Sequence, residues 1–116
     1  DTKLKAVHWV LLVVAWWKAR ARLGVDAERD VGDLLEDVLR FYAEFPFGRY
    51  IVRATETSPF IEYGDGRLAA LKGLSRFPLW LVDPSSGERE WYNCGEHVDA
   101  DTVAEIQAMD SPVRSF

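Results

Sequence analysis

An uncharged apolar stretch near the start of the sequence constrains the fold more than any other feature. Residues 6–17 read AVHWVLLVVAWW, a run of 12 residues without a charged side chain. A helix that crosses a bilayer needs about 20 apolar residues, so this run is too short to span a membrane. It also differs from a signal peptide, because Lys18, Arg20 and Arg22 crowd the position at which cleavage would fall. We therefore expect a buried core element of a cytoplasmic protein.

The overall composition is that of a folded domain. The chain has 116 residues, of which 48% are hydrophobic and 28% are charged. A chain of this length buries roughly two thirds of its unfolded surface, so we expect one domain over residues 1–116. Its single cysteine, Cys94, excludes an internal disulfide framework and a zinc site built from cysteines alone. The net charge of −5 argues against a general DNA-binding module, since such domains are usually basic.

The periodicity of the apolar stretch leaves two structures open. Residues 3–23 are apolar on all sides, and their valines suit a buried strand as well as a helix. A helix is favoured because residues 18–22 are strong helix formers whose three bases suit a helix C-terminus. Gly24 also suits a left-handed cap. The alternative is a strand, which would give a β-α-β start of the ferredoxin-like kind with residues 49–54 as the second strand.

The next segment carries the clearest helical pattern. Between residues 26 and 45, apolar residues recur at helical spacing and form one stripe. The stripe consists of Val31, Leu34, Leu35, Val38, Leu39 and Tyr42. Asp26 suits the N-cap position, and Pro46 ends the element. Together with the first helix, this segment predicts a helical hairpin over residues 3–45.

After Pro46 the pattern favours β-strands. Turns that contain glycine or proline, at residues 64–66 and 84–87, separate short segments rich in β-branched and aromatic residues. The predicted strands are residues 49–54, 60–63, 67–71, 79–83 and 88–92, and a short helix follows at residues 101–109. We therefore predict an α+β fold in which the helical hairpin packs on a four- to five-stranded antiparallel meander, with a short C-terminal helix.

The residues that could carry chemistry form no recognisable catalytic or metal-binding motif. Cys94 and His97 have the spacing of half a zinc site, but His8 is the only other histidine. Acidic neighbours such as Glu96 oppose the lowered pKa that a nucleophilic cysteine needs. The glycine-rich phosphate-binding motifs are absent from the sequence. We therefore expect no metal, no cofactor and no catalytic residues.

Two alternatives remain open. A small enzyme would need a closed cleft in which several of four candidate side chains, three carboxylates and one histidine, lie together. That set is Glu62, Glu88, Glu90 and His97. A single-stranded nucleic-acid binder would instead use basic residues beside aromatic ones on the predicted sheet. These basic residues are Arg49, Arg53, Arg67, Lys72 and Arg76. Since the whole protein is acidic, we do not expect nucleic acid to be the partner.

The remaining features favour contact with another protein. A helix that is apolar all round must be covered on all sides, and tryptophan is a favoured anchor in protein interfaces. Candidate contact residues on the first helix are Trp9, Trp16 and Trp17. The solvent side of the second helix adds an acidic face of Asp30, Asp33, Glu36 and Asp37. Such a face would steer the protein onto a basic target.

We therefore expect a small acidic protein-binding module of the inhibitor, immunity or adaptor type. Its partner would be another protein with a basic surface. We also expect a homodimer, in which a second copy of the chain covers the first helix. Association with a membrane is not expected.

Overall fold

The apolar stretch forms a helix, as the helix formers at its end predicted. In the computed structural model, helix α1 spans Ala6–Arg22. It begins after Lys5, whose backbone N–H donates to Nδ1 of His8 over 2.8 Å and so satisfies a group that a helix start leaves free. The strand alternative and its β-α-β start are therefore wrong. The structure describes residues 3–22, 31–69, 71, 74–84 and 91–108.

Helix α2 spans Val31–Ala43 and packs against α1. The buried hydroxyl of Tyr42 donates to the backbone carbonyl of Leu12 over 2.5 Å, which ties the two helices together. Leu35, which the spacing places on the buried side, is 57% exposed, so the inward stripe is narrower than predicted. The predicted N-cap, Asp26, lies outside the described residues.

The β part differs most from the prediction. Strand β1 (Tyr50–Val52) and strand β2 (Phe60–Glu62) form a two-stranded antiparallel sheet in which Ile51 lies opposite Ile61. Within the described residues no four- to five-stranded meander exists, so that prediction is wrong. The predicted strand at residues 67–71 is replaced by a 3-10 turn over Gly66–Leu68.

A side chain explains the loss of that strand. A carboxylate oxygen of Asp65 accepts from the backbone N–H of Arg67 over 2.8 Å and caps the 3-10 turn. Asp side chains form such local hydrogen bonds with the backbone, and these bonds compete with the backbone hydrogen bonds between paired strands. The turn directs Leu68 into the core, where it is buried against Ile51 and Trp80.

Residues 79–83 run beside β1, but in the parallel direction. Val52 N–H donates to the Trp80 carbonyl over 2.9 Å, and Val82 N–H donates to the Val52 carbonyl over 2.8 Å. Only one bridge forms here, between Val52 and Leu81, and another joins Val82 to Asn93 in the antiparallel sense. The predicted hairpin partner at residues 88–92 lies mostly outside the described residues, since residues 85–90 are not described.

Helix α3 spans Ala100–Ala108 and completes the core. It starts one residue earlier than predicted, because Asp99 accepts from the backbone N–H of Thr102 over 2.8 Å and acts as the cap. Its Ile106 is buried, and its Gln107 amide donates to the carbonyl of Phe45 over 2.9 Å, just beyond the end of α2. The result is a small α+β domain. Among the described residues, no helix has the length and apolar character needed to cross a membrane.

Candidate functional site

The inner face of helix α1 packs into the hydrophobic core. Leu12, Ala15 and Trp16 are almost fully buried, and the Arg20 guanidinium lies 4.8 Å from the centre of the Trp16 ring. Trp16 was a predicted contact residue, and its side chain is only 3% exposed. It therefore supports the fold and offers a partner little surface.

The outer face of α1 is apolar and exposed. We call it the valine–tryptophan stripe. Its members and their exposed fractions are Val7 54%, Val10 58%, Val13 37%, Val14 39% and Trp17 44%. Single exposed apolar side chains are common on protein surfaces, whereas a large continuous apolar patch is a candidate for an interaction site. Of the three predicted tryptophans, Trp17 is the one that lies within this patch.

The position of the stripe is set by His8. This side chain is 2% exposed, and its Nδ1 accepts from the Lys5 backbone N–H. Its Nε2 therefore carries the proton that is donated to the Cys94 carbonyl, over 2.9 Å. Because both ring nitrogens are held, α1 is fixed with His8 inward and the valines outward.

Trp9 lies to one side of the stripe and is half-buried against the core. It lines a small pocket between the start of α1 and α3, with a volume of about 130 Å³. An exposed salt bridge from Lys3 to Glu105, 3.0 Å long, lies among the residues that line it. The pocket is too small for a typical small-molecule ligand, which needs roughly 300 Å³ or more.

The acidic face of α2 is only partly described, and the part that is described is paired. Asp37 lies 3.5 Å from Arg20 of α1, with both side chains less than 20% exposed. Glu36 lies 2.9 Å from Arg40, one turn further along α2. The side chains of Asp30 and Asp33 lie outside the described residues. Steering of a basic partner by this face remains a prediction, but these pairs weaken its field.

The sites considered for chemistry do not assemble in the described part of the chain. Burial, with a smaller effect from Asp83, raises the pKa of the Cys94 thiol from 9.0 to about 11. The rings of His8 and His97 lie 5.2 Å apart, but the bonds to Lys5 and Cys94 occupy both nitrogens of His8. Among the described residues, no group of three or more potential ligands could hold a metal ion.

The raised pKa of Cys94 predicts low thiol reactivity. We expect iodoacetamide at pH 8 to alkylate the folded protein at least about tenfold more slowly than the urea-unfolded protein, because only the thiolate reacts. The same shift makes the folded state lose stability as the pH rises from 9 towards 11, since the unfolded chain ionises first. The variant Cys94→Ser should flatten this part of the stability profile. Equal alkylation rates in the two states would contradict the prediction.

The two alternative functions find little support in the described residues. Arginines of the predicted nucleic-acid face form salt bridges with acidic neighbours. Arg49 lies 3.5 Å from Glu62, and Arg53 lies 2.9 Å from Glu56. Arg67 is held by Asp65 over 3.1 Å. For the enzyme, Glu62 is exposed, and the carboxylates at positions 88 and 90 lie outside the described residues.

Comparisons with protein-family models, with curated proteins and with solved structures find no match for this chain. The candidate site therefore rests on this chain's own geometry. The predicted contact residues on α1 were three tryptophans and did not include the valines that form most of the stripe. The spacing of Val7, Val10, Val14 and Trp17 by three, four and three residues was a signal that could have found them.

Proposed function

We propose that the protein is a protein-binding module that docks through the valine–tryptophan stripe. The observation that carries this proposal is an exposed helix face of four valines and one tryptophan. Burying such a face releases water from apolar surface, and Trp17 has the size that interface anchors usually have. A binding module of the inhibitor, immunity or adaptor type needs a surface of this kind and no catalytic group.

The stripe is a better docking surface than the acidic face. Asp37 and Glu36 are engaged by arginines of the same chain, so a basic partner would have to compete with these bonds. A partner that docks on the stripe would displace only water, because the exposed side chains there are valines and a tryptophan.

A photo-crosslinking experiment tests the proposal. Benzoylphenylalanine placed at Val10 is expected to give a covalent adduct with a protein in the native cells. Position 35 provides a matched control, because Leu35 is 57% exposed and Val10 is 58% exposed, each on a helix surface. Protein adducts at position 10 in clear excess over position 35 would support the proposal. Equal yields at the two positions, or adducts with lipid alone, would contradict it.

A further inference from the structure

Strand β2 forms an open edge of the sheet. The Tyr63 N–H donates to the Arg49 carbonyl over 2.9 Å, so every second residue counted back from Tyr63 directs its backbone groups towards β1. Phe60 and Glu62 lie between those residues, and their backbone groups point away from β1. Within the described residues, the N–H and carbonyl of Phe60 and the N–H of Glu62 form no hydrogen bond, whereas the Glu62 carbonyl accepts from the Asp65 N–H. An added strand could bond to the three open groups of this described edge.

The other side of the same sheet shows what such groups bind. Val52 of β1 lies opposite Phe60, and its N–H and carbonyl point away from β2. They bond to the Trp80 carbonyl over 2.9 Å and to the Val82 N–H over 2.8 Å. An extended segment of the chain therefore satisfies the backbone of β1 on its outer side. An extended peptide that lies beside β2 would satisfy the backbone of β2 in the same way.

An exposed aromatic ring lies beside this edge. Phe41 of α2 is 37% exposed and stacks on Phe60, with the ring centres 5.4 Å apart. Phe45 contacts both Phe60 and Tyr50 of β1, whereas Phe41 makes no such ring contact with Tyr50 among the described residues. Phe41 therefore lies further from β1 than Phe45 does. Its exposed part can contact a side chain of a strand added beside β2.

We infer that β2 binds an extended peptide of another protein as an added antiparallel strand. The antiparallel direction is favoured because its hydrogen bonds are the more stable ones. The peptide side chain opposite Phe60 shares its face of the sheet and contacts Phe41, so it is a large apolar one. This inference does not rest on the valine–tryptophan stripe.

The charge of the edge selects a second peptide residue. Glu62 is the one charged residue of β2, and its side chain is 59% exposed. Its contact with Arg49 is 3.5 Å long and exposed, so it contributes little and leaves the carboxylate accessible. The position opposite Glu62 is therefore basic, as the net charge of −5 also favours. In an antiparallel strand, the basic residue precedes the apolar one by two positions.

Amide hydrogen exchange, followed by nuclear magnetic resonance, tests the added strand. The probe is a blocked threonine-rich peptide that contains arginine, threonine and leucine in that order. At millimolar peptide, exchange of the Phe60 and Glu62 amides is expected to slow at least about tenfold, because both become hydrogen-bonded. A methyl group on the leucine nitrogen should abolish this protection, since it removes the donor to the Phe60 carbonyl. A methyl group on the preceding nitrogen, which points away from β2, is the matched control and should be tolerated.

Exchanged charges and a truncated ring test the two side-chain contacts. Glu62→Lys is expected to reverse the preference, so that a peptide with glutamate in place of arginine binds at least about threefold more tightly than the original. Phe41→Ala should weaken the leucine peptide at least about threefold and leave a peptide with alanine in place of leucine almost unchanged. Circular dichroism checks that both variants are folded. The peptide of reversed sequence has the same composition and should bind more weakly to the wild-type protein.

Four results would overturn the inference. They are no protection of the two amides at millimolar peptide, equal effects of the two methyl groups, equal or tighter binding of the reversed peptide, and no change of preference in Glu62→Lys. Protection that rises with protein concentration in the absence of peptide would also overturn it, because a second copy would then occupy the edge.

The stripe provides the last control. Val10→Asp should leave peptide binding unchanged, because Val10 lies on α1 and outside the sheet. Loss of binding in this variant would place the peptide on the stripe and overturn the inference. A peptide that fails to bind would leave the proposed function standing, since that function is tested by crosslinking at position 10.

Discussion

Replacement of Tyr42 by alanine is expected to lower the free energy of unfolding by about 4 kcal/mol. The side chain is fully buried and contacts the rings of Phe45, Phe47 and Phe60. Its hydroxyl also donates to the carbonyl of Leu12 on α1. The substitution removes the ring from the centre of the aromatic cluster and leaves a cavity that its neighbours can fill only in part. Urea unfolding, followed by far-ultraviolet circular dichroism, measures the loss.

Tyr42→Phe is the matched control. It keeps the ring and removes only the hydroxyl, so it should cost about 1 kcal/mol, the usual net contribution of one hydrogen bond. If Tyr42→Ala cost no more than Tyr42→Phe, the aromatic cluster would not stabilise the fold.

Replacement of Asn93 by leucine is expected to cost about 3 kcal/mol, since it leaves several buried backbone groups without partners. The Oδ1 atom of Asn93 accepts from the backbone N–H of Leu81 over 3.0 Å and from that of Gly95 over 2.8 Å. Its Nδ2 donates to the carbonyl of Leu79 over 2.8 Å. The side chain is 4% exposed, so water cannot replace these bonds. Urea unfolding again gives the loss.

Gln107→Leu provides the comparison for Asn93→Leu, because it removes the same amide chemistry. Gln107 donates to the carbonyls of Tyr42 and Phe45, but its side chain is only half-buried. Water can therefore satisfy those carbonyls, and the cost should stay near about 1 kcal/mol. Equal costs for the two variants would show that the Asn93 bonds are not protected from solvent.

The helices could be predicted because their patterns are local. In α2 the apolar spacing is regular, and in α1 the helix formers after Trp17 decide against a strand. The two strands of the sheet lie within predicted strands, but the arrangement around them could not be predicted, because the segment beside β1 is distant in sequence. No pattern in the nearby sequence predicts that Val52 pairs with Leu81 in the parallel direction. The segment after Gly64 forms a turn because the side chain of Asp65 caps it.

The valine–tryptophan stripe was predicted only in part, for a physical reason. A stretch that is apolar on all sides does not show which side faces solvent, and polarity alone would place His8 outside. The structure buries His8 because the Cys94 carbonyl and the Lys5 N–H hold its two nitrogens. The valines therefore turn outward, and His8 fixes the orientation of the whole helix.

The bond from His8 to Cys94 also bears on how the chain is made. The two residues are 86 positions apart, so α1 is synthesised long before its docking partner. At about 5 to 20 residues per second, the ribosome needs roughly 4 to 17 s to cover that distance. For that time the part of the inner face of α1 around His8 stays uncovered on the nascent chain, although α2 can already pack against the rest of that face. Aggregation between nascent chains, or capture by a chaperone, is therefore a greater hazard during translation than after release.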